Sequence, residues 1–326
     1  MRMPLISVII SAHDRRKYLL DAMESCLNQS FPANDYEVIV IKNFMDDKID
    51  ELINKNKFVG VYTDAKTLGQ KMAIGIEKSS GSIICFLDDD DKFTSDKLEV
   101  ISKSFSSINS LDYLHNSLIT IDEEGTPDSK DISVNLDSDI LIEEITPLQI
   151  KEARKYNGDW YMSCISVSRG LALLTLPLLK TLGASFDKIF FYSAILHDMK
   201  MMVCSRRLTY YRLHPSLTTI VGDKNMLIKR KTEFFNLTSK AIQSILPSDN
   251  SEKYHILKLA YLHEAINYSV LSGEKIKFRE YISFLKLSFT IGTPSDRKWA
   301  ILYAIRMFSH GLARNIYLRI MSELYS

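Results

Sequence analysis

Four short apolar runs separated by amphipathic segments dominate the first ninety residues, and they restrict the fold more than any other feature of the chain. "LISVIIS", "YEVIVIKN", "FVGVYTD" and "SIICFL" are rich in β-branched residues and read as strands; the first two are continuous enough to be buried on both faces. Between them, "KYLLDAMESCLNQ" places Leu19, Leu20, Met23, Cys26 and Leu27 on one helical face, and "DDKIDELINKN" and "GQKMAIGIEKSSG" read as further helices, the latter stopped at Gly81. A fourth helix, "SDKLEVISKSF", is expected with Ser95 as its N-cap. Strand–helix–strand repeats of this kind build a parallel sheet with right-handed crossovers. Ligands on such sheets bind at the carboxyl ends of the strands, so the loops starting near Ser11, Lys42 and Asp88 are the ones to watch.

The chain has 326 residues, 46% apolar and 25% charged, which is ordinary globular composition and suggests two domains at about 150 residues each. Its net charge of +1 argues against a general binder of nucleic acid. The charge is uneven, however. Residues 225–326 hold 15 Lys/Arg against 8 Asp/Glu, and the rest hold 26 against 32. Cys26, Cys85, Cys164 and Cys204 stand far apart, with no C-x-x-C pair, so neither a disulfide framework nor a thiolate zinc site is expected, and a reducing compartment fits. The opening "MRMPLISVIIS" is too short for a secretory signal, and no apolar run approaches the roughly 18 residues of a membrane span.

Beyond the first hundred residues the pattern changes. Asp122–Glu144 holds nine acidic residues and one base, Lys130, and reads as a surface insertion or flap. "NMLIKRKTEFFNLTSKAIQSIL", "KYHILKLAYLHEAINYSVL", "FREYISFLKLSF" and "DRKWAILYAIRMFSHGLARNIYLRIMSEL" are helical patterns with breaks near Pro247 and Pro294. The last is basic, aromatic and amphipathic, which suits either contact with an anionic membrane surface or packing against a domain or a second copy.

The chemistry is concentrated in Asp88, Asp89, Asp90 and Asp91, which follow the fourth strand without a break. Four adjacent carboxylates repel one another unless a cation is present. On an extended backbone Asp88 and Asp90 point the same way and can share a hard divalent cation, Mg²⁺ or Mn²⁺, which keeps positions open for diphosphate oxygens. The plainer reading is a solvated acidic turn before a helix. Its position at the rim of an α/β sheet favours the ligand.

Taken in order, "SVIISAHDRRKYL", "ESCLNQSFP", "EVIVIKNFMDD" and "LGQKMAIGIEKSSGSIICFLDDDD" resemble the family 2 glycosyltransferases of the GT-A fold, and "SFDKIFFYSAIL" and "RRLTYYRLHPSLTT" extend the resemblance over roughly residues 5–218. The resemblance implies a Rossmann-like, mostly parallel sheet flanked by helices in residues 1–220. Its nucleotide-sugar half would be 1–115 and its acceptor half 116–220, with a helical domain over 221–326. It implies transfer with inversion from a nucleotide-diphosphate sugar, a UDP-sugar, to a hydroxyl of a glycan or lipid-linked acceptor, with Mn²⁺ or Mg²⁺ as cofactor. Ser11, His13 and Asp14 would line the nucleoside pocket; Asn43 stands near the place of a base-reading Asp; Lys71 would reach the diphosphate. Asp88 and Asp89 would meet the nucleotide sugar, with Asp90, Asp88, Asp91 and His214 toward the metal. Asp187 matches the catalytic base, although Phe186 replaces the usual Glu before it; Asp159 and Asp198 compete for that role. Trp160 and Tyr161 would stack on an acceptor sugar or pack in the core.

The expected location is cytoplasmic, at the inner face of the membrane, with a homodimer among the expected assemblies and no nucleic-acid partner. A nucleotidyltransferase or a dehydrogenase needs a Gly-rich phosphate loop after the first strand, and "SAHDRRKYL" has no glycine. An inactive sugar-nucleotide-binding member of the same fold is the alternative, on the strength of Lys42–Asn43 and Phe186–Asp187.

Overall fold

A computed structural model describes residues 5–13, 16–128, 132–181, 186–213 and 224–325. In chain order its elements are β1 (Ile6–Ser11), α1 (Leu19–Leu27), β2 (Tyr36–Lys42), α2 (Asp47–Lys55), β3 (Val59–Tyr62), α3 (Leu68–Lys78), β4 (Ile83–Asp88), β5 (Lys92–Phe93), α4 (Lys97–Ser107), β6 (Leu111–Ile121), β7 (Ile140–Ile142), α5 (Pro147–Lys155), β8 (Ile165–Ser168), α6 (Arg169–Thr181), α7 (Phe186–Leu196), β9 (Lys200–Arg212), α8 (Lys224–Ser244), α9 (Glu252–Ser272), α10 (Phe278–Thr290), α11 (Pro294–Phe308) and α12 (His310–Tyr325). They form two compact units, Met1–Glu144 with Tyr156–Leu213, and Ile145–Lys155 with His214–Ser326.

The first unit holds one mixed sheet in the order β3-β2-β1-β4-β8-β6-β9-β5, with β7 paired to β9. The strands β3, β2, β1 and β4 are parallel, as the crossover rule requires. The strand β8 runs antiparallel to β4 and β6, while β6 and β9 are parallel to each other. The strand β1 is buried along its whole length and β4 as far as Leu87 because helices cover both faces. Ile6, Val8 and Ile10 of β1 pack with Cys85 and Leu87 of β4, Leu19, Met23 and Cys26 of α1, and Leu98 and Ile101 of α4. The alternate residues face the other layer: Phe86 stacks on Phe190 of α7 with ring centroids 4.9 Å apart, and a Cβ at Gly75 of α3 would lie 2.5 Å from Ile9.

Local chemistry sets several helix starts. In α3, Thr67 accepts from the Gln70 N–H while Gln70 returns to the Thr67 N–H, a capping box; Asp46 caps α2 through Ile49. Two expectations change. The cap of α4 is Asp96, without a side-chain bond to the helix, and Ser95 lies outside it. Gly81 does not terminate α3, which ends at Ser79 in an extended conformation. The glycine is needed because a Cβ there would come within 2.6 Å of the Ser7 backbone.

The second unit is helical. Among its elements is α5, which the sequence reading did not separate from the sheet segment around it. Ser251 caps α9 and Gly273, at φ +84°, closes it in the left-handed conformation. The final basic pattern, read as one helix, is two: α11 stops at Ser309, which is extended, and α12 follows. Among the described residues no helix is long and apolar enough to cross a membrane.

Candidate active site

The strands β1 and β4 end side by side, Ser11 opposite Asp88. Ser11 is buried, and its Oγ has no hydrogen-bond partner. A hydroxyl left unsatisfied at the ligand-binding rim of a sheet is one that a ligand can satisfy. Directly after β4 the chain turns, the Asp91 N–H reaching back 3.3 Å to the Asp88 carbonyl. That turn brings the carboxylates of Asp88, Asp90 and Asp91 together, with one oxygen of each within 4.8 Å of the others. Asp89 is buried but is not part of this trio. The extended-chain expectation of Asp88 beside Asp90 is therefore widened by the turn, which adds Asp91.

The turn is held from below. The Asp88 N–H donates to Ser163 Oγ at 3.0 Å, and Ser163 lies in a single helical turn, Met162–Cys164, leading into β8. The buried Lys97 ammonium donates to the Ser163 carbonyl at 2.6 Å and to Thr209 Oγ1 at 3.0 Å. Burial lowers the Lys97 pKa to about 8. Asp91 is shifted the other way: burial and the neighbouring Asp90 charge raise its affinity for a proton. Burial away from water, with a second carboxylate beside it, makes the charged form costly unless a cation is bound. Three hard oxygen donors clustered in this way fit Mg²⁺ or Mn²⁺.

The rest of the first loop is tied to α3. Lys71, expected at a diphosphate, has its ammonium buried beneath the loop, donating to the Ala12 carbonyl at 2.9 Å and lying 2.5 Å from His13 Nδ1. It meets the chain directly after β1, at the carboxyl edge of the sheet, and supports His13, which is exposed. Lys42 is likewise turned inward, to the Phe44 carbonyl at 2.7 Å and to Asp50 at 2.9 Å; Asn43 follows at the end of β2, half-buried. Asp14 and His214 lie outside the described residues.

Topology separates the three candidate bases. The helix α7 runs back from the carboxyl edge of the sheet and turns through Asp198, at φ +54°, into the start of β9. The other end of β9 carries Arg212, whose N–H donates to Asp91 at 3.0 Å. Asp198 is thus at the opposite edge, roughly 40 Å of strand away. Asp187, in the first turn of α7, is at the carboxyl edge. From the Phe86–Phe190 contact, Asp187 is one helical turn back, about 5 Å, and Asp88 is two strand residues forward, about 7 Å, so both stand at similar height. Asp187 is half-buried, and one oxygen accepts the Lys188 N–H at 2.9 Å. Asp159 is 1% exposed and is held by Tyr192 Oη at 3.0 Å and Lys188 Nζ at 3.7 Å.

Beside these residues the Lys188 ammonium sits 4.2 Å from the centre of the Trp160 ring, which is 38% exposed. Tyr161 stands edge-on to Tyr211 with its backbone at φ +63°, a conformation disfavoured for a bulky residue.

Arg212 was not singled out in the sequence, although it lies within "YYRLHPS". Its buried guanidinium reaches Asp90, Asp122, Glu123 and Asp21. The signal for it is its place in "RRLTYYRLHPSLTT", a segment that carries the resemblance, where a charged residue ends an otherwise strand-like run.

The comparisons agree with this arrangement. Residues 7–144 match the Glycosyl transferase family 2 model. An uncharacterized glycosyltransferase of Haemophilus influenzae is 38% identical over 131 residues, covering 38% of this chain and 51% of its own length. The poly(ribitol-phosphate) beta-glucosyltransferase of Bacillus spizizenii is 23% identical over 93% of this chain and 47% of its own. The chain thus spans about half the length of these two relatives. The crystal structure of S. aureus TarS 1–349 in complex with UDP-GlcNAc superposes with a TM-score of 0.61 at 18% identity, covering 98% of this chain and 91% of that one. With the doubly covered sheet, the acidic turn at its rim and the matched segment in agreement, residues 7–144 carry a family 2 glycosyltransferase domain, on a chain with the GT-A fold.

Proposed function

We propose that this chain transfers a sugar from a nucleotide-diphosphate sugar, a UDP-sugar, to an acceptor hydroxyl with inversion. The observation that carries the reading is the carboxylate trio Asp88, Asp90 and Asp91 at the carboxyl edge of the sheet. Bound there, Mn²⁺ or Mg²⁺ would supply the positive charge that a departing diphosphate requires. Ser11 Oγ, buried and unsatisfied, is available to the nucleotide, and Asp88, adjacent to it across the strands, is in reach of the same group. Asp187 accepts the proton of the acceptor hydroxyl as that oxygen attacks the anomeric carbon from the face opposite the diphosphate. Trp160, with one ring face against Lys188, offers its exposed part to an acceptor sugar.

The acceptor is a glycan or a lipid-linked precursor. Peripheral contact with an anionic membrane face belongs to the same reading. In its support α10 turns Phe278, Ile282 and Phe289 outward, with the exposed Arg279 and Lys286 on the same helix. Flotation with anionic and neutral vesicles tests that contact.

The donor test is a thermal-shift series with UDP-, GDP- and dTDP-sugars, with and without Mn²⁺. One nucleotide class is expected to raise the melting temperature only with the cation, and Asp90→Ala to abolish the rise. A flat response to every donor contradicts the reading. Binding without turnover, unaffected by Asp187→Ala, identifies the inactive sugar-nucleotide-binding alternative instead.

A further inference from the structure

Arg212 ends β9 with a side chain that solvent does not reach. Its Nε donates to the Asp90 carbonyl at 2.9 Å. Its Nη1 donates to the carbonyls of Asp122 at 3.2 Å and Glu123 at 2.7 Å. Its Nη2 donates to Asp21 Oδ2 at 2.8 Å, and its own backbone N–H donates to Asp91 Oδ1 at 3.0 Å. The guanidinium carbon lies 4.4 Å from the centre of the Tyr18 ring. One planar group thus joins three chain segments: the start of α1, the acidic turn after β4, and the turn at 122–126.

The last of these segments is fastened a second time. The Glu123 carboxylate accepts Tyr18 Oη at 2.9 Å and Lys17 Nζ at 2.5 Å. Gly125 takes φ +85°, and a Cβ there would lie 3.4 Å from Arg212 Nη1, so the turn closes tightly over the guanidinium. The acidic stretch that reads as a loose flap in the sequence begins as a clasp.

We propose that Arg212 is a positioning residue for the metal trio: by gripping the Asp90 carbonyl and the Asp91 carboxylate from behind, it aims the three carboxylates at a divalent cation and fastens the 122–126 turn beside them. The inference rests on the glycosyltransferase reading for the identity of the ligand, but its evidence is separate from that of the base and the acceptor. Two properties of arginine are used. Its donors are fixed in one plane, so the four oxygens it reaches are fixed relative to one another. Its charge is permanent and offsets part of the negative charge gathered at the turn. Lysine would keep the charge and lose the fork.

The test is direct titration of Mn²⁺ into the full chain, without nucleotide, for the wild type, Arg212→Lys and Asp21→Ala. Circular dichroism and melting temperature report folding. Arg212→Lys is expected to stay folded and to weaken Mn²⁺ binding at least tenfold. Asp21→Ala, which removes only the Nη2 partner, is expected to weaken it about threefold. In a donor assay the same variants should raise KM and the Mn²⁺ requirement more than they lower kcat. Should Arg212→Lys fail to fold, Asp21→Ala and Gly125→Val, which crowds the guanidinium, carry the test through the same titration. Unchanged Mn²⁺ affinity in the folded variants would overturn the role of Arg212 and leave the glycosyltransferase reading standing. A wild type that binds no Mn²⁺ would overturn both. A wild type that binds Mn²⁺ and responds to the variants, yet transfers no sugar, would support the role of Arg212 and remove only the activity.

Discussion

His115 lies on β6 under Trp160, its Nε2 2.9 Å from the Trp160 carbonyl and its Nδ1 buried with no hydrogen-bond partner. Burial pushes its pKa down to about 4. The unfolded chain, with histidine near 6.5, therefore binds the proton first, so the folded state loses stability as pH falls from about 6.5 to 4 and gains nothing from this group above 6.5. The slope is at most about 1.4 kcal/mol per pH unit. Urea unfolding at pH 7 and pH 5 should show a larger loss for the wild type than for His115→Gln, which keeps an N–H for the Trp160 carbonyl.

The carboxylates near α7 divide the same way. Asp187→Asn is expected to cut turnover by about 10²–10⁴-fold with the melting temperature nearly unchanged. Asp159→Asn, which removes the charge facing the buried Lys188, should lower the melting temperature by several degrees. Equal activity losses without a difference in stability would remove Asp187 from its role. Asp88 to Asp91 were legible in the sequence because four adjacent carboxylates after a strand demand an explanation by themselves. Arg212 was not, because its partners stand from 89 to 191 positions away. Lys71 was legible as a cation near the site, but sequence carries no information on which way a buried lysine turns.

At the scale of elements, the helical unit depends on one carboxylate. Asp296 completes the capping box of α11 with Thr293, receives both Arg154 Nη atoms at 3.0 and 3.1 Å, and lies 3.2 Å from His263. Burial alone would raise its pKa, but the Arg154 charge and the His263 bond outweigh burial and hold it well below the usual carboxylate range. A group with a depressed native pKa contributes fully above the unfolded value near 4, and its contribution fades as pH falls below that. Asp296→Ala should destabilise by about 3–5 kcal/mol, since it strands Arg154 and removes a cap together; a chemical denaturation midpoint reports it. This clasp joins α5 to α11, which explains why α5 escaped the sequence reading. Its short amphipathic pattern marks a helix, but only a contact 142 residues away shows which unit it joins. The parallel strands were legible because their burial on both faces writes itself into unbroken apolar runs. The shift of register of β9 against Asn116–Leu118 of β6 was not, because it has no compositional mark.

For the whole molecule, cation and nucleotide should act on stability together. At a nucleotide-sugar concentration a hundredfold above its dissociation constant, linkage adds about 2.7 kcal/mol to whatever Mn²⁺ alone contributes, which a thermal scan reads as a rise of several degrees. Chelation by EDTA should return the loaded chain to the melting temperature of the free one. A rise that survives chelation would mean that the nucleotide is held without the trio.

The position of β9 also matters before the protein is finished. It is the last strand among the described residues, yet it takes its place inside the sheet, between β6 and the short β5. Arg212 leaves the ribosome 121 residues after Asp91. At about 5–20 residues per second that interval is on the order of ten seconds. Throughout it the nascent sheet has an open seam, and a knot of like charges waits for its counterweight. The acidic turn is synthesised early and secured late, so a nascent chain halted before residue 212 is the form most exposed to mispairing and most in need of a chaperone.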